Sequence, residues 1–337
     1  MQPKLIRKGS AIVDTHFHLW RDGGPARSGI LAAPYLRRNV LWRDFSDAWG
    51  GLAVESAVNV QVGDFIDGAV EARFVAGEAD PERLGGIVAW AQLESPGVGA
   101  ELDRLRTVPG VCGVRRTCQI ETDPAFCCRP DYLRGARMLG ELGLVCDVCV
   151  RLEQVAAVPR LARACPDTTI VLEHLGKPDL GRPPALHWLR AIEELAALPN
   201  VAAKLSVTVH TADDPPLRAE SVAPFVRHLY DCLGPDRLMF GSNWPVSAAV
   251  IGYREWVSLL RELVGDDERI WSGTAQRVYR HVWPRRSSSA GPRTTVKTRA
   301  NAGACGVQIE PLAGCGELRP REATRSRRAS GCRYSPL

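Results

Sequence analysis

Two histidines, His16 and His18, stand two residues apart in the segment D-T-H-F-H, where the apolar run AIVDTH ends. Side chains two apart in a β-strand lie on one face, so the two imidazoles are expected side by side. Paired imidazoles bind a divalent metal or polarise a carbonyl group. The pair alone is a weak signal, and it becomes a strong one at the end of the first strand of a barrel.

Three further polar residues close later apolar runs. His174 ends TIVLEH, where a third imidazole would complete a ligand set or donate to a substrate oxygen. Arg115 lies in GVRRT, where its guanidinium would clamp a carboxylate or polarise a carbonyl, and Arg116 is expected to face the other way. For Lys204 in AAKLS, substrate binding and a buried salt bridge are equally expected.

Amides occupy several other strand ends. Gln61 and Gln92 are expected to line the pocket or to satisfy backbone groups, and Trp20, two residues after His18, is assigned to substrate binding. Asn243 in GSNWPV stands where a barrel hydrolase would carry its general base. An amide cannot accept a proton at neutral pH, although we keep Asn243 among the catalytic candidates.

The remaining candidates are weaker. Asp147, within LVCDVCV, faces the same end, but its position in the middle of the run favours a structural role. His210 follows the seventh run and would enter the pocket from there, whereas His187, His228 and His281 lie in helical stretches and are expected on the surface.

Eight β-like runs must position these side chains. Stretches with apolar residues at helical spacing, such as YLRGARMLGELG and HWLRAIEELAAL, separate most of them. Strands that alternate with helices form a parallel sheet, and eight such units in about 280 residues match a single-domain (β/α)8 TIM barrel. A doubly wound sheet is the alternative, but HFHLWRD after the first run has no glycine fingerprint. The predicted runs are 11–16, 54–61, 86–92, 111–117, 144–150, 169–174, 201–206 and 237–243.

The charge distribution divides the chain near Pro284. The 337 residues carry a net charge of +5, but residues 285–337 alone carry +8, which leaves −3 for the rest. We therefore predict a barrel over 1–283 and a disordered, low-complexity basic extension over 284–337. The basic segment has a single aromatic residue, Tyr334, so we expect no nucleic-acid site.

Composition also constrains cellular context. No apolar stretch reaches about 18 residues, the length that would suggest a membrane span, and no signal peptide is recognisable, so we expect a cytoplasmic protein without membrane contacts.

The eleven cysteines are scattered along the sequence. The pair Cys146 and Cys149 lies within an apolar run, which favours buried small residues over a zinc or redox site.

Taken together, the stretches IVDTHFHLW, GVRRTCQIETDPAF, LVCDVCV, VLEHLGKP, NVAAKLS, DRLMFGSNWPV and GTAQRVY resemble the amidohydrolase-related (amidohydrolase 2) family. That group includes L-fuconolactone, L-rhamnonolactone and 2-pyrone-4,6-dicarboxylate lactonases. The resemblance implies a hydrolase that opens a sugar or related lactone, with His16, His18 and His174 as catalytic residues and metal ligands and Arg115 gripping the substrate. Because no obvious lysine or carboxylate that could bridge two metals follows the fourth strand, we expect at most one divalent metal, zinc or a similar ion, and metal-independent activity stays open.

The chain departs from the family in two places. The eighth strand usually reads GSDWP, whereas this chain has Asn243. Family members usually end soon after the GTA-x-x-x-Y helix, whereas this chain continues to residue 337.

Three hypotheses for the function follow: a lactonase, a decarboxylase on the same barrel, and a binding protein that has lost turnover. The expected partner is a small lactone or sugar acid, and whether the chain forms a homo-oligomer is left open.

Overall fold

A computed structural model describes residues 9–22, 34–64, 67–208 and 216–279. Within them eight strands form one sheet in which each strand pairs in parallel with the next along the chain. The strands are β1 (Ile12–Phe17), β2 (Val54–Val60), β3 (Leu84–Ala89), β4 (Val111–Arg115), β5 (Val145–Val148), β6 (Ile170–Leu172), β7 (Val201–Leu205) and β8 (Leu238–Phe240).

The last strand returns to the first. A parallel bridge joins Phe17 to Trp244, and the backbone N–H of Asn243 donates to the carbonyl of His16 at 2.7 Å. The hydroxyl of Thr15 donates to the carbonyl of Phe240 at 2.6 Å. These contacts bring the ends of β1 and β8 together, and the predicted (β/α)8 TIM barrel is confirmed.

Helices follow the strands and cover the outside of the sheet. In the described part of the chain they are α1 (Trp42–Ala48), α2 (Gly68–Glu78), α3 (Val98–Arg106), α4 (Pro130–Glu141), α5 (Val158–Ala164), α6 (Leu186–Ala196), α7 (Ala219–Leu233), α8 (Tyr253–Val264) and α9 (Thr274–Val278). Their buried faces form one core with the outer face of the sheet. A second core, of mostly small side chains, fills the barrel itself and includes Val13, Val58, Val88, Val145, Val171 and Met239.

All eight predicted strands are present, but several end earlier than predicted. The sixth run, predicted to reach His174, stops at Leu172, and the eighth, predicted to reach Asn243, stops at Phe240. His174 and Asn243 have φ values of 52° and 53°. A strand cannot continue through the left-handed region, so these side chains belong to turns that follow the strands.

Some predictions lie outside the described residues. They include the extension at 284–337, whose disorder stays a prediction, and His210 and His281. Among the described helices, none has the length and apolar character that crossing a membrane requires.

A cavity of about 360 Å³ lies at the amino-terminal end of β5 to β8, lined by residues that include Asp167, Asn200, Asp236, Arg237 and Arg277. The predicted chemistry is at the opposite end of the barrel, so we assign this cavity no part in it.

Candidate active site

The predicted histidine pair is formed at the carboxyl end of β1. The Nε2 atoms of His16 and His18 lie 3.2 Å apart, and both side chains are buried. Nδ1 of His18 is 2.7 Å from the carbonyl oxygen of Val60, and Nδ1 of His16 is 3.2 Å from Oε1 of Glu173. Val60 offers His18 only an acceptor, so Nδ1 of His18 carries the proton. Nδ1 of His16 also lies 3.5 Å from Nζ of Lys204, but the closer carboxylate of Glu173 favours a proton on this nitrogen as well. Each Nε2 therefore presents a lone pair.

Asn243 points a third acceptor at the same place. Its Nδ2 donates to the carbonyl oxygen of Val207 at 2.8 Å, which fixes the orientation of the amide. Its Oδ1 then lies 3.1 Å from Nε2 of His18. In this tautomer, three electron-pair donors from β1 and the turn after β8 converge without a hydrogen between them.

Such a convergence requires either an added proton or a cation. Burial, followed by the charge of Arg115, lowers the pKa of His18 to about 4. Burial also lowers the pKa of His16 well below its usual value, and Lys204 adds to the effect. An extra proton is therefore disfavoured at neutral pH, and the neutral imidazoles with the amide oxygen suit a single divalent metal ion.

Glu173, at the end of β6, is the electrostatic centre of the site. Its carboxylate accepts a hydrogen bond from Arg115 at 2.9 Å and lies 3.5 Å from Nζ of Lys204, in addition to its contact with His16. Burial alone would raise the pKa of Glu173, but Arg115, Lys204 and His174 outweigh it and hold the pKa well below the usual range. Glu173 is therefore ionised at neutral pH.

Lys204 extends this network down into the barrel. Its Nζ donates to Oδ2 of Asp147, which also accepts from the hydroxyl of Tyr279 at 3.2 Å. All three side chains are buried, and burial raises the pKa of Asp147 to about 6 against the opposing effect of Lys204. Asp147 is thus held by two donors, a structural role that the sequence favoured.

His174 completes the cluster from a strained turn. Its Nδ1 lies 2.9 Å from Oγ of Ser206, and its ring centroid is 4.5 Å from that of His16. Burial lowers its pKa well below the usual value, while Glu173 opposes the shift. Among the described residues, the non-glycine positions with positive φ are His174, Leu175, Lys177 and Asn243, and all belong to the two turns that carry site residues. Strained backbone of this kind is typical of functional sites.

A second group could also hold a metal. Ligand atoms of His16, Glu173 and His174 lie within 4.8 Å of one another. However, Glu173 is already paired with Arg115 and Lys204, so its oxygens are less available to a metal than the other group of ligand atoms. That group consists of the Nε2 atoms of His16 and His18 and Oδ1 of Asn243.

Residues 13–281 match the model of the amidohydrolase family. The chain belongs to that family. This match confirms the predicted family and the predicted class of enzyme, a hydrolase.

Proteins similar to this chain include sugar lactonases. L-fucono-1,5-lactonase from Burkholderia multivorans is 31% identical over 304 residues, 80% of this chain and 96% of its own length. L-rhamnono-gamma-lactonase from Scheffersomyces stipitis is 26% identical over 175 residues, 44% of this chain and 51% of its own. A crystal structure of an amidohydrolase from Burkholderia multivorans with bound zinc superposes with a TM-score of 0.70 at 30% identity, covering 80% of this chain and 99% of that one.

In this protein, the residues predicted to bind substrate differ in their surroundings. Arg115 donates to Glu173 and to the carbonyl oxygen of Gln61, and Arg116 pairs instead with Glu94 and Glu121, as the alternation of strand residues predicts. Nε of Arg115 and Oε1 of Gln61 are buried without a hydrogen-bond partner among the described residues. Lys204 forms the salt bridge that was one of its two expected roles.

Two other predicted pocket residues lie apart from this network. The indole N–H of Trp20 donates to the carbonyl oxygens of Arg38 at 2.8 Å and Leu36 at 3.3 Å, and the side chain is 1% exposed. The backbone N–H of Gln92 donates to Glu101 at 3.4 Å. Substrate contact by Trp20 stays a prediction.

The histidines expected on the surface divide into two cases. His187 on α6 is exposed, as predicted. His228 on α7 is half-buried, because its ring packs on Trp188 and lies 3.3 Å from the carbonyl oxygen of Leu189.

Sequence reasoning missed Glu173, Ser206 and Tyr279. The signal for Glu173 was available, because Val171 lies inside the barrel and position 173 is on the same face of the strand. His174 should then face outward, but its left-handed φ of 52° turns it back toward the mouth. Ser206 lies two residues after Lys204 and follows the same alternation.

Proposed function

We propose that the protein hydrolyses the ester bond of a sugar lactone at the carboxyl mouth of the barrel. The observation that carries this proposal is the cluster of three buried, neutral imidazoles, His16, His18 and His174, around an ionised Glu173. The neutral imidazole of His174 can accept a proton from water, and the names of the lactonase relatives favour an ester as the substrate.

His174 is the proposed general base in place of the amide at position 243. If Nδ1 donates to Ser206, Nε2 is free to accept a proton from the attacking water. The imidazolium that results is stabilised by Oε2 of Glu173, 3.8 Å from Nε2. His174 then returns the proton to the ring oxygen as the ester bond breaks, and the product is a hydroxy acid. Asp147 is a poorer base because Lys204 and Tyr279 occupy it.

The buried groups of Arg115 and Gln61 are proposed to bind the lactone. Nε of Arg115 is a donor suited to the carbonyl oxygen, whose negative charge grows as water attacks. Oε1 of Gln61 is an acceptor suited to a sugar hydroxyl. Buried polar atoms without protein partners are uncommon in native structures, which supports their use by a ligand.

A single divalent metal fits this arrangement. Nε2 of His16, Nε2 of His18 and Oδ1 of Asn243 would hold it, with His174 as the remaining predicted ligand if it does not act as the base. When bound, such an ion acts as a Lewis acid on the lactone carbonyl. Neutral ligands leave its charge uncompensated, whereas an aspartate at 243 would offset part of it.

Asn243 also favours a second candidate function, a binding protein that retains the site but has little turnover. The carboxylate expected at this position is replaced by an amide whose two ends are both engaged by the protein. Such a protein would bind a sugar acid or lactone tightly and release no acid.

A panel assay separates these functions. Aldonolactones and aromatic lactones would be screened for acid release with a pH indicator, with and without a chelator, and a parallel screen of aromatic acids would measure release of CO2. We expect acid release from a sugar lactone. Release of CO2 alone would favour the decarboxylase hypothesis, and tight binding with neither product would favour the binding protein.

A further inference from the structure

The turn that follows β6 is left-handed over four consecutive residues. The φ values of His174, Leu175, Gly176 and Lys177 are 52°, 56°, 74° and 50°. This conformation costs about 1–2 kcal/mol for each residue that has a side chain. The turn is held by the indole N–H of Trp188, which donates to the carbonyl of Leu175 at 2.8 Å, and by a 2.7 Å bond from Lys177 N to His174 O.

This turn brings Lys177 beside the histidine cluster and onto the loop after β4. Nζ of Lys177 donates to Oε1 of Gln119. Gln119 is itself fixed, because its backbone N–H donates to the carbonyl of Cys149 at 3.1 Å and its carbonyl accepts from Arg151. Lys177 also lies within hydrogen-bond reach of the Cys149 thiol, and its charge opposes the burial that raises the pKa of Cys149. Lys177 therefore acts electrostatically on the mouth of the site.

Among the described residues, no nearby carboxylate balances the charge of Lys177. The basic side chains around it each have one: Arg115 lies 2.9 Å from Glu173, Arg116 2.8 Å from Glu94, and Arg151 3.6 Å from Glu153. Lys204 is paired with Asp147. For Lys177, the described part of the chain offers no carboxylate within 4.0 Å. A half-buried ammonium whose described partners are a neutral amide and a thiol has lost hydration without gaining a counter-charge from them.

We propose that Lys177, positioned by Gln119, binds a carboxylate of the sugar acid or lactone that occupies the site. The inference rests on the proposed function and names a substrate class for it, lactones that carry or generate a carboxylate near His174. The anion would supply the missing counter-charge, and a charge-assisted bond in a partly desolvated site is stronger than a neutral one.

Two sources could supply this carboxylate. Hydrolysis of a neutral aldonolactone creates one at the carbonyl carbon, so Lys177 would stabilise the product. A lactone such as 2-pyrone-4,6-dicarboxylate already carries one, so Lys177 would contribute to substrate binding.

Two variants test the proposal in different ways. Lys177→Met keeps the length of the side chain and removes the charge. Gln119→Glu keeps Lys177 but provides a protein carboxylate that would compete for it. Arg182→Gln is the matched control, because it removes one positive charge from the same segment and the side chain of Arg182 is 82% exposed. Thermal melting of each variant confirms that it folds.

The main readout is the Kd for L-fuconate, the acid formed from L-fucono-1,5-lactone, measured by titration calorimetry at neutral pH. We expect both test variants to weaken binding by about tenfold or more, roughly 1.4 kcal/mol, and the control to leave it unchanged. If binding of L-fuconate weakens but the KM for L-fucono-1,5-lactone does not change, the carboxylate is the one formed in the reaction. If the dicarboxylate lactone shows a matching rise in KM, the carboxylate belongs to the substrate.

The proposal is overturned if both variants fold and bind L-fuconate and the dicarboxylate lactone as the wild type does. Wild-type turnover decides the proposed function separately. If no lactone is hydrolysed, the lactonase assignment fails, and the Kd comparison, which requires no turnover, still decides whether Lys177 binds carboxylates.

Discussion

The Nε2 atoms of His16 and His18 face each other at 3.2 Å, and Nδ1 of each ring lies beside a protein acceptor, Glu173 or Val60. We predict that this pair binds one equivalent of zinc. His18→Ala should reduce zinc affinity by more than the roughly 10-fold to 100-fold that loss of an outer-shell partner produces. Calorimetric titration of the protein with Zn²⁺ measures this.

The control for zinc binding is His187→Ala, because His187 is exposed on α6. Its zinc affinity should match the wild type. Equal affinities in the His18→Ala variant and the wild type would contradict a metal site at this pair.

The low pKa of His18 predicts how the free energy of unfolding depends on pH. Its pKa is about 4 when folded and about 6.5 in a model peptide, so the unfolded chain binds the extra proton between these values. Stability from this residue is complete above pH 6.5 and is lost as the pH falls toward 4, by about 3 kcal/mol. His18→Gln should therefore lose less stability than the wild type over this window in urea unfolding.

The comparison between variants is needed because burial raises the pKa values of Asp14 and Asp147 to about 6, which favours the folded state as the pH falls. His187→Gln, which changes an exposed histidine, should follow the wild-type profile. Parallel profiles for the wild type and His18→Gln would show that His18 has an ordinary pKa.

Asn243→Asp tests whether the amide limits turnover. The carboxylate would lie about where Oδ1 now contacts His18 at 3.1 Å, and general-base assistance is typically worth about 10²-fold to 10⁴-fold in rate. We expect kcat to rise. We also expect a lower melting temperature, because the second oxygen would face the carbonyl of Val207 in place of a donor, at a cost of about 1–3 kcal/mol.

Asn243→Ala is the companion variant, since it removes the amide without adding a base. A fall in kcat for both variants would show that the amide itself orients substrate or metal. No change in either would place position 243 outside the reaction.

The ion pair of Lys204 and Asp147 is expected to be strongly coupled. Removing one member of a buried pair leaves an uncompensated charge and typically costs about 3–5 kcal/mol. Lys204→Met should therefore destabilise the fold by several kcal/mol, and adding Asp147→Asn should restore part of the loss. Urea unfolding of the four proteins of this double-mutant cycle gives the coupling, and simple additivity would contradict it.

The sequence predicted the eight strands and the faces on which several of their side chains lie, because a parallel strand alternates its side chains regularly. This rule placed His16 with His18 and separated Arg115 from Arg116. It could not place His174, because the strand ends at Leu172 and a left-handed turn redirects the side chain.

The buried ion pairs could not be predicted from the sequence either. Glu173 and Asp147 pair with cations that are 31 to 58 positions away, and only the closed barrel brings them together. The role of Trp20 could not be read from its spacing to His18, because its hydrogen bonds depend on the course of the segment around Leu36 and Arg38.

The most direct test of the proposed function is the rate of acid release from L-fucono-1,5-lactone or the best lactone of the panel, compared among the wild type, His16→Ala and His18→Ala. We predict that the wild type releases acid and that each variant folds but loses nearly all activity, because both imidazoles lie at the centre of the site. If a folded variant keeps more than about a tenth of kcat/KM, a loss under roughly 1.4 kcal/mol in transition-state stabilisation, that histidine takes no part in the reaction.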